Sequence, residues 1–426
     1  MNKFFYKILV CFIIIVFSKF SSSLCDDFIE KDDSNTKDEI TEASATAIDT
    51  SSNNQISEPQ INSRAAVVID RNTGTVLYGK NENQKRKMAS TTKIMTAIII
   101  IENCNLNDTT IISKKAASTG GSKVGLKTGN KVSINDLLYG LMLCSGNDAA
   151  VALVEYCSGS VTNFAIKMNE KALELNLKST HFETPHGLDS EAHYTTAYEL
   201  ATLANYAMQN TTFKKIVGTK LATISINGYP KQLSNTNELL GNFEGIYGVK
   251  TGFTNGANRC LVTACKRKNM DVICVVLGAD TKKFRTQDSV KLLNYVFNNF
   301  ENVNIEKIIT DNFKNWKNKN LSNIIINKSC SNSNLDLSLG KISNKNIPIR
   351  KDLIDSIIVN VNCPLYFEAP ITEGCQLGNI EVISGNKEIA KVPILSNCNI
   401  KKKNWNDYFV ELFKKYSDTL NNVFAF

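Results

Sequence analysis

Apolar residues along this chain fall into distinct spacings, and each change of spacing marks an element. "AAVVID" (65–70) and "TVLYG" (75–79) are short apolar runs on either side of "RNTG", the pattern of a β-hairpin. In "RKMASTTKIMTAIIIIENC" (86–104) the residues Ile94, Met95, Ala97, Ile98, Ile99, Ile100 and Ile101 are apolar nearly all round. They predict a helix that begins near Ser90 and is buried on most of its circumference. "INDLLYGLMLC" (134–144) and "AAVALVEYC" (149–157) predict helices flanking "SGN", and amphipathic helices follow at 161–177 and 195–210. Strand-like pieces come next at 221–226, 245–252, 259–267 and 270–279, closed by a helix at 288–300. Strands first and last, with helices between them, predict an α/β (α+β) domain with an antiparallel sheet flanked by helices.

Outside this region the pattern changes. After about Phe300 short alternating runs such as "DSIIVNVN" (355–362) and "GNIEVIS" (378–384) predict a small all-β domain. The tail "WNDYFVELFKKYSDTLNNVF" puts Trp405, Tyr408, Phe409, Leu412, Phe413, Tyr416, Leu420, Val423 and Phe424 on one helical stripe beside Lys401, Lys402, Lys403, Lys414 and Lys415. That is the pattern of a helix lying in a membrane interface; packing on the chain's own domains is the alternative. At the other end, Lys3 and Lys7 precede the apolar run 8–17, as in a secretory signal peptide. The acidic, Ser/Thr/Asn-rich stretch after it predicts a disordered spacer. The expected layout is therefore a signal peptide at 1–24, a linker at 25–62, a main domain at 63–302, a β domain at 303–400 and a surface helix at 401–426.

Composition narrows the function. A net charge of +8 over 426 residues is mild and is not gathered into a nucleic-acid patch, so an anionic cell surface is the more natural neighbour. Twelve cysteines show no C-x-x-C or metal-ligand spacing, and Cys144, Cys157, Cys260, Cys265 and Cys274 sit in apolar runs, as small buried thiols do. Cys330, Cys363, Cys375 and Cys398 cluster late in the chain without a readable pairing.

Three short motifs carry chemistry. Ser90 and Lys93 are one helical turn apart on a single face, and burial of the lysine favours a neutral amine able to accept the serine proton. "CSGND" places Ser145 and Asn147 at a turn between two helices. "YGVKTGFT" places Lys250, Thr251 and Gly252 at the end of a strand. S-x-x-K, S-x-N and K-T-G in this order are the signature of penicillin-binding proteins and class A β-lactamases.

From about Ser63 to Phe300 the sequence resembles the serine-type D-alanyl-D-alanine carboxypeptidases, the low-molecular-mass penicillin-binding proteins. "MASTTKIMTA", "LMLCSGNDAAVALVE", "THFETPHGLD", "HYTTAYELATLA", "GVKTGFTNGANRCLV" and "VVLGA" carry the resemblance, and "APITEGCQLGNIEV" extends it to the C-terminal domain. It implies a β-lactamase/transpeptidase-like catalytic domain, acting on peptidoglycan stem peptides at the outer face of the bacterial cytoplasmic membrane as a secreted, peripheral protein. Ser90 is then the nucleophile and Lys93 its base; Ser145 relays a proton to the leaving D-alanine, and Asn147 orients Lys93 and the substrate amide. Lys250 supplies positive charge, while Thr251 and Arg285 hold the substrate carboxylate. The backbone N–H groups of Ser90 and Phe253, the latter following Gly252, form the oxyanion hole. β-Lactam antibiotics acylate Ser90, and neither metal nor other cofactor is required. Cys144 departs from the family, which commonly has proline before its S-x-N.

Three rivals stand beside this reading. A class A β-lactamase carries a glutamate in E-x-x-L-N, which "EKALELN" (170–176) matches only with the wrong spacing. His181, His186 and His193, with Glu183, Asp189 and Glu191, could suggest zinc, but H-E-x-x-H is absent and structural hydrogen bonding explains them. A non-catalytic wall-binding protein would keep the fold and lose catalytic side chains, all of which are present here.

Overall fold

The computed structural model describes residues 57–330 and 335–423, which divide into two units between Asn298 and Asn299. The signal peptide and all of the linker before residue 57 lie outside the described residues.

In the first unit β1 (Ala65–Asp70) and β2 (Val76–Lys80) form the hairpin that the opening pattern predicts. A 3₁₀ turn, Ala89–Thr92, leads into α1 (Lys93–Asn103), where Ile94, Ile98, Ile99 and Ile100 are all buried. Each isoleucine removed from water contributes about 1.5–3 kcal/mol, so α1 is the natural centre of the unit. A minor pair, β3 (Thr109–Ile111) and β4 (Lys131–Ser133), flanks α2 (Lys114–Ser118). The helices α3 (Ile134–Leu143), α4 (Asn147–Ser158), α5 (Val161–Glu174), α6 (Ala197–Ala207) and α7 (Thr211–Val217) follow. Ser133, Ser160 and Thr196 cap α3, α5 and α6 by accepting a backbone N–H three residues on.

The hairpin β5 (Leu221–Ile226) and β6 (Tyr229–Ser234) stands apart from the main sheet and packs on α3, although its first strand reads like the strands after it. The five-stranded sheet takes β7 (Ile246–Thr254), β8 (Asn258–Arg267) and β9 (Met270–Ala279) in the order β2-β1-β9-β8-β7, antiparallel throughout. Its last strand, β7, lies at the edge and carries the K-T-G motif. The closing helix α8 (Lys282–Asn299) starts six residues earlier than its apolar pattern indicates. Arg285, Thr286 and Asp288 are buried polar residues in its first turns, and they hide the apolar period.

The second unit opens with β10 (Phe300–Asn304) and α9 (Ile305–Asn320), whose buried Ile305, Ile309 and Phe313 recur every four residues. Lys- and Asn-rich surroundings conceal that helix in the sequence. Then come β11 (Ile325–Asn327), β12 (Leu337–Leu339), β13 (Asn346–Arg350), β14 (Ile358–Asn362), β15 (Tyr366–Glu368), β16 (Gln376–Ser384) and β17 (Lys387–Ser396). Four of them form an antiparallel sheet, β12-β17-β16-β14, whose Ile380, Val382, Val392 and Ile394 pack with the buried face of α9. The final helix α10 (Trp405–Val423) leaves Trp405, Phe409, Val410, Leu412, Phe413 and Tyr416 exposed. Among the described residues no single helix is long and apolar enough to cross a membrane.

Candidate active site

Local backbone geometry first sets the position of Ser90. Ala89, just before it, sits at φ +48°, a left-handed conformation that an alanine holds only when its surroundings impose it. The imposing contacts run through His193. Its Nδ1 accepts the Glu183 N–H at 3.0 Å, so its proton is on Nε2, which donates to Thr92 Oγ1 at 2.8 Å. Thr92 Oγ1 in turn donates to the Ala89 carbonyl at 2.8 Å. Burial pushes His193 down to about 4, which keeps it the neutral imidazole this chain of bonds needs.

Lys93 opens α1 and is fully buried. Its Nζ lies 2.9 Å from Ser90 Oγ, 2.7 Å from Asn147 Oδ1 and 3.0 Å from the His186 carbonyl. Asn147 Oδ1 and the carbonyl can only accept, so they take two N–H bonds. Ser90 Oγ can donate or accept. A neutral amine therefore fits this cage without rearrangement, its lone pair directed at the serine O–H, and an ammonium fits it equally well. The proton can pass from Ser90 to Lys93 while every contact is kept. Burial first, and then the charge of Lys93, push His186 down to about 3, so no second cation forms beside the amine.

Asn147 is the first residue of α4, and it is held from both ends. Its N–H donates to the Ser122 carbonyl at 2.7 Å and its Nδ2 to the Gly120 carbonyl at 2.7 Å. The next residue, Asp148, is fully buried and accepts the N–H groups of Val124, Gly125 and Leu126 at 2.8–3.0 Å. The loop around residues 120–126 is thus stitched onto the S-G-N turn. Ser145 adopts φ +59°, and its buried Oγ has no hydrogen-bond partner among the described residues. Cys144 ends α3 with φ −87° and ψ −1°, an ordinary helical-region conformation.

The K-T-G strand closes the site. A Cβ on Gly252 would lie 3.1 Å from Ser90 N and 3.2 Å from both Ala89 Cβ and the Met88 carbonyl, so glycine lets β7 press against the serine turn without displacing it. Lys250 and Thr251 are buried; Lys250 Nζ donates to the Thr251 carbonyl at 3.1 Å, and Thr251 Oγ1 is 2.7 Å from Thr236 Oγ1. Phe253 follows, its ring under the Arg259 guanidinium at 3.8 Å. Arg285 on α8 is buried and donates from Nη2 to Glu238 Oε1 at 3.0 Å, while Lys282 reaches the other carboxylate oxygen at 2.8 Å. Burial raises the Glu238 carboxyl, but Arg285 and Lys282 outweigh it and hold the group below its usual range. The segment 236–238 therefore joins the Thr251 hydroxyl to Arg285.

The histidine segment is a strut. His181 Nδ1 bonds the Ala192 carbonyl at 2.6 Å, and Asp189 ties the segment to the β7–β8 turn by accepting from Thr254 Oγ1 and Gly256 N–H, both at 2.8 Å. The fold thus brings Ser90, Lys93, Asn147 and Gly252 into direct contact and links Thr251 and Arg285 through Thr236 and Glu238. Thr236, Glu238, Asp148 and the role of His193 are not readable from motif spacing. Asp148 alone had a signal, its place next to Asn147.

A half-buried serine beside a buried lysine, an amide that holds the lysine and a glycine strand against the serine form the arrangement found in penicillin-recognising serine enzymes. The family model described as D-alanyl-D-alanine carboxypeptidase matches residues 52–281, and that of the penicillin-binding protein 5 C-terminal domain matches residues 332–402. D-alanyl-D-alanine carboxypeptidase DacF of Bacillus subtilis (strain 168) is 41% identical over 244 residues, covering 56% of this chain and 63% of that protein, so the alignment spans less than two thirds of that relative. The D-alanyl-D-alanine carboxypeptidase of Streptomyces sp. (strain K15) is 39% identical over 260 residues, 57% of this chain and 89% of its own length. The crystal structure of D-alanyl-D-alanine carboxypeptidase DacD from Francisella tularensis aligns with a TM-score of 0.65 at 28% identity, over 83% of this chain and 98% of that one. The Streptomyces K15 DD-transpeptidase structure aligns with a TM-score of 0.55 at 36% identity, over 57% and 99%. The chain belongs to the D-alanyl-D-alanine carboxypeptidase family.

Proposed function

We propose that this protein removes the terminal D-alanine from peptidoglycan stem pentapeptides through an acyl-enzyme on Ser90. The observation that carries the reading is the position of Lys93 Nζ, within hydrogen-bond distance of both Ser90 Oγ and Asn147 Oδ1. Lys93 accepts the Ser90 proton as Oγ attacks the carbonyl between the two D-alanines. The oxyanion forms against the N–H groups of Ser90 and Phe253, a preorganised pair worth several kcal/mol of barrier. As the C–N bond breaks, Ser145 passes a proton to the departing amine; its unengaged Oγ suits that role. Water then attacks the ester, with Lys93 as base, and frees Ser90. Lys250, Thr251 and Arg285 form the cationic and hydroxyl-lined corner that takes the substrate's terminal carboxylate, and Asn147 orients its amide. β-Lactam antibiotics, which mimic the dipeptide, acylate the same oxygen.

The protein is secreted and works at the outer face of the cytoplasmic membrane, held peripherally by α10. The exposed aromatic and aliphatic side chains of that helix, beside Lys414 and Lys415, support this anchoring.

Intact-mass analysis after incubation with penicillin, together with D-alanine release from a diacetyl-lysyl-D-alanyl-D-alanine peptide, tests the mechanism. A stable adduct on Ser90 with D-alanine release is expected, and both vanish in Ser90→Ala. Persistence of release in that variant would refute the assignment. Rapid adduct loss with antibiotic hydrolysis would favour a β-lactamase.

A further inference from the structure

The helices that begin with Lys93 and Asn147 each end in a cysteine. Lys93 is the first residue of α1 and Cys104 its C-cap; Asn147 is the first residue of α4, and Cys157 lies in its last turn. The spans from first residue to cysteine are eleven and ten residues, so at about 1.5 Å per residue they are about 16.5 and 15 Å long. Two packed helices joined at one end by the Lys93–Asn147 bond therefore meet again at the other. There the Tyr156 O–H donates to Asp108 Oδ2 at 2.6 Å, tying the residue before Cys157 to the chain just after Cys104, and the two half-buried cysteines lie beside the core close enough to influence each other.

We propose that Cys104 and Cys157 form a disulfide that locks α1 to α4 at the end opposite their catalytic contact. The Cys104 side chain holds the Cys157 thiol down, to about 6, against the effect of burial and with help from Ser158 and Lys167. That shift favours the Cys157 thiolate, the form that attacks. The oxidant is an external disulfide, either a small-molecule one or that of a thiol oxidoreductase. The Cys157 thiolate attacks one of its sulfurs and expels a thiolate, leaving a mixed disulfide. Cys104 then loses its proton and attacks the Cys157 sulfur, expelling the second thiolate. Two cysteine thiols are oxidised and one external disulfide is reduced to two thiols. The closed loop spans residues 104 to 157, long enough to restrict the unfolded chain considerably.

The test uses the full chain purified without reductant and equilibrated with oxidised glutathione, then alkylated in denaturant and digested with trypsin. The expected product is peptide 94–114 joined to peptide 132–167, with fragmentation placing the link on Cys157 rather than Cys144. Dithiothreitol should lower the Tm of the wild type by roughly 5–10 °C and leave that of Cys104→Ser unchanged. The wild-type comparison stands alone if the variant fails to fold. Full alkylation of both cysteines, or a lasting glutathione adduct on Cys157, would overturn the pair; a linkage whose reduction leaves Tm unchanged would overturn the lock.

Discussion

At the scale of single residues the site depends on which atoms can only accept. Because Asn147 Oδ1 and the His186 carbonyl claim two protons of Lys93, the lysine faces Ser90 with whatever its protonation state leaves over. Replacing Asn147 by Leu removes one of these acceptors, and stopped-flow measurement of penicillin acylation should show a rate lower by roughly 10²-fold. His193 gives a prediction in pH. Its folded pKa is depressed from 6.5 to about 4, so between those values the unfolded chain binds the extra proton. Stability from this group is complete above pH 6.5 and is lost as pH falls toward 4, a loss of about 3 kcal/mol. Urea unfolding across that window should show the slope in wild type and a flatter one in His193→Asn. The motifs that hold Ser90, Lys93, Ser145 and Asn147 were legible because they repeat in a known order. Thr236 and Glu238 were not, since nothing in "SNTNELL" announces a hydroxyl meeting Thr251 or a carboxylate meeting Arg285.

At the scale of elements the proposed catalytic groups are placed by contacts between a turn, two helix starts and a sheet edge. A side chain at 252 would push β7 away from backbone atoms of the serine turn, which cannot rotate aside. Gly252→Val should therefore cut acylation by about 10²-fold or more while circular dichroism shows the sheet intact. Asp148 secures the loop over the S-G-N turn with three N–H bonds from that loop, and Asp148→Ala leaves the N–H groups of the buried Val124 and Leu126 without an acceptor. Chemical denaturation should report a loss of about 3 kcal/mol, with slower acylation because Asn147 leans on the same loop. Helix α1 was readable from its isoleucines, whereas the first turns of α8 were not, because ion pairing and not apolar spacing buries Arg285.

For the whole molecule, the prediction concerns α10. Lys401, Lys402 and Lys403 pair through their backbones with residues 328–330, so truncation after Asn404 removes the helix and keeps that pairing. Such a protein should cease to sediment with anionic vesicles while releasing D-alanine at the full rate; continued sedimentation would reject the anchoring role. The sequence by itself determined the opening hairpin, the larger helices and the last three sheet strands of the first unit, the buried helix that begins beside Ser90, and the order of the three motifs; the short elements β3, α2, β4, α7 and β6 were not readable from it. The readable features are local properties, set by apolar period and by residue types a few positions apart. Only the tertiary structure decided that β5–β6 stands outside the sheet, that α9 and the start of α8 are helical, that His193 braces the serine turn, and that the ends of α1 and α4 bring Cys104 near Cys157. Each of these rests on partners distant in the chain whose pairing no local period encodes: His193 meets Thr92 101 residues away, and Glu238 meets Arg285 47 residues away. Burial makes such contacts strong enough to override what the surrounding sequence prefers.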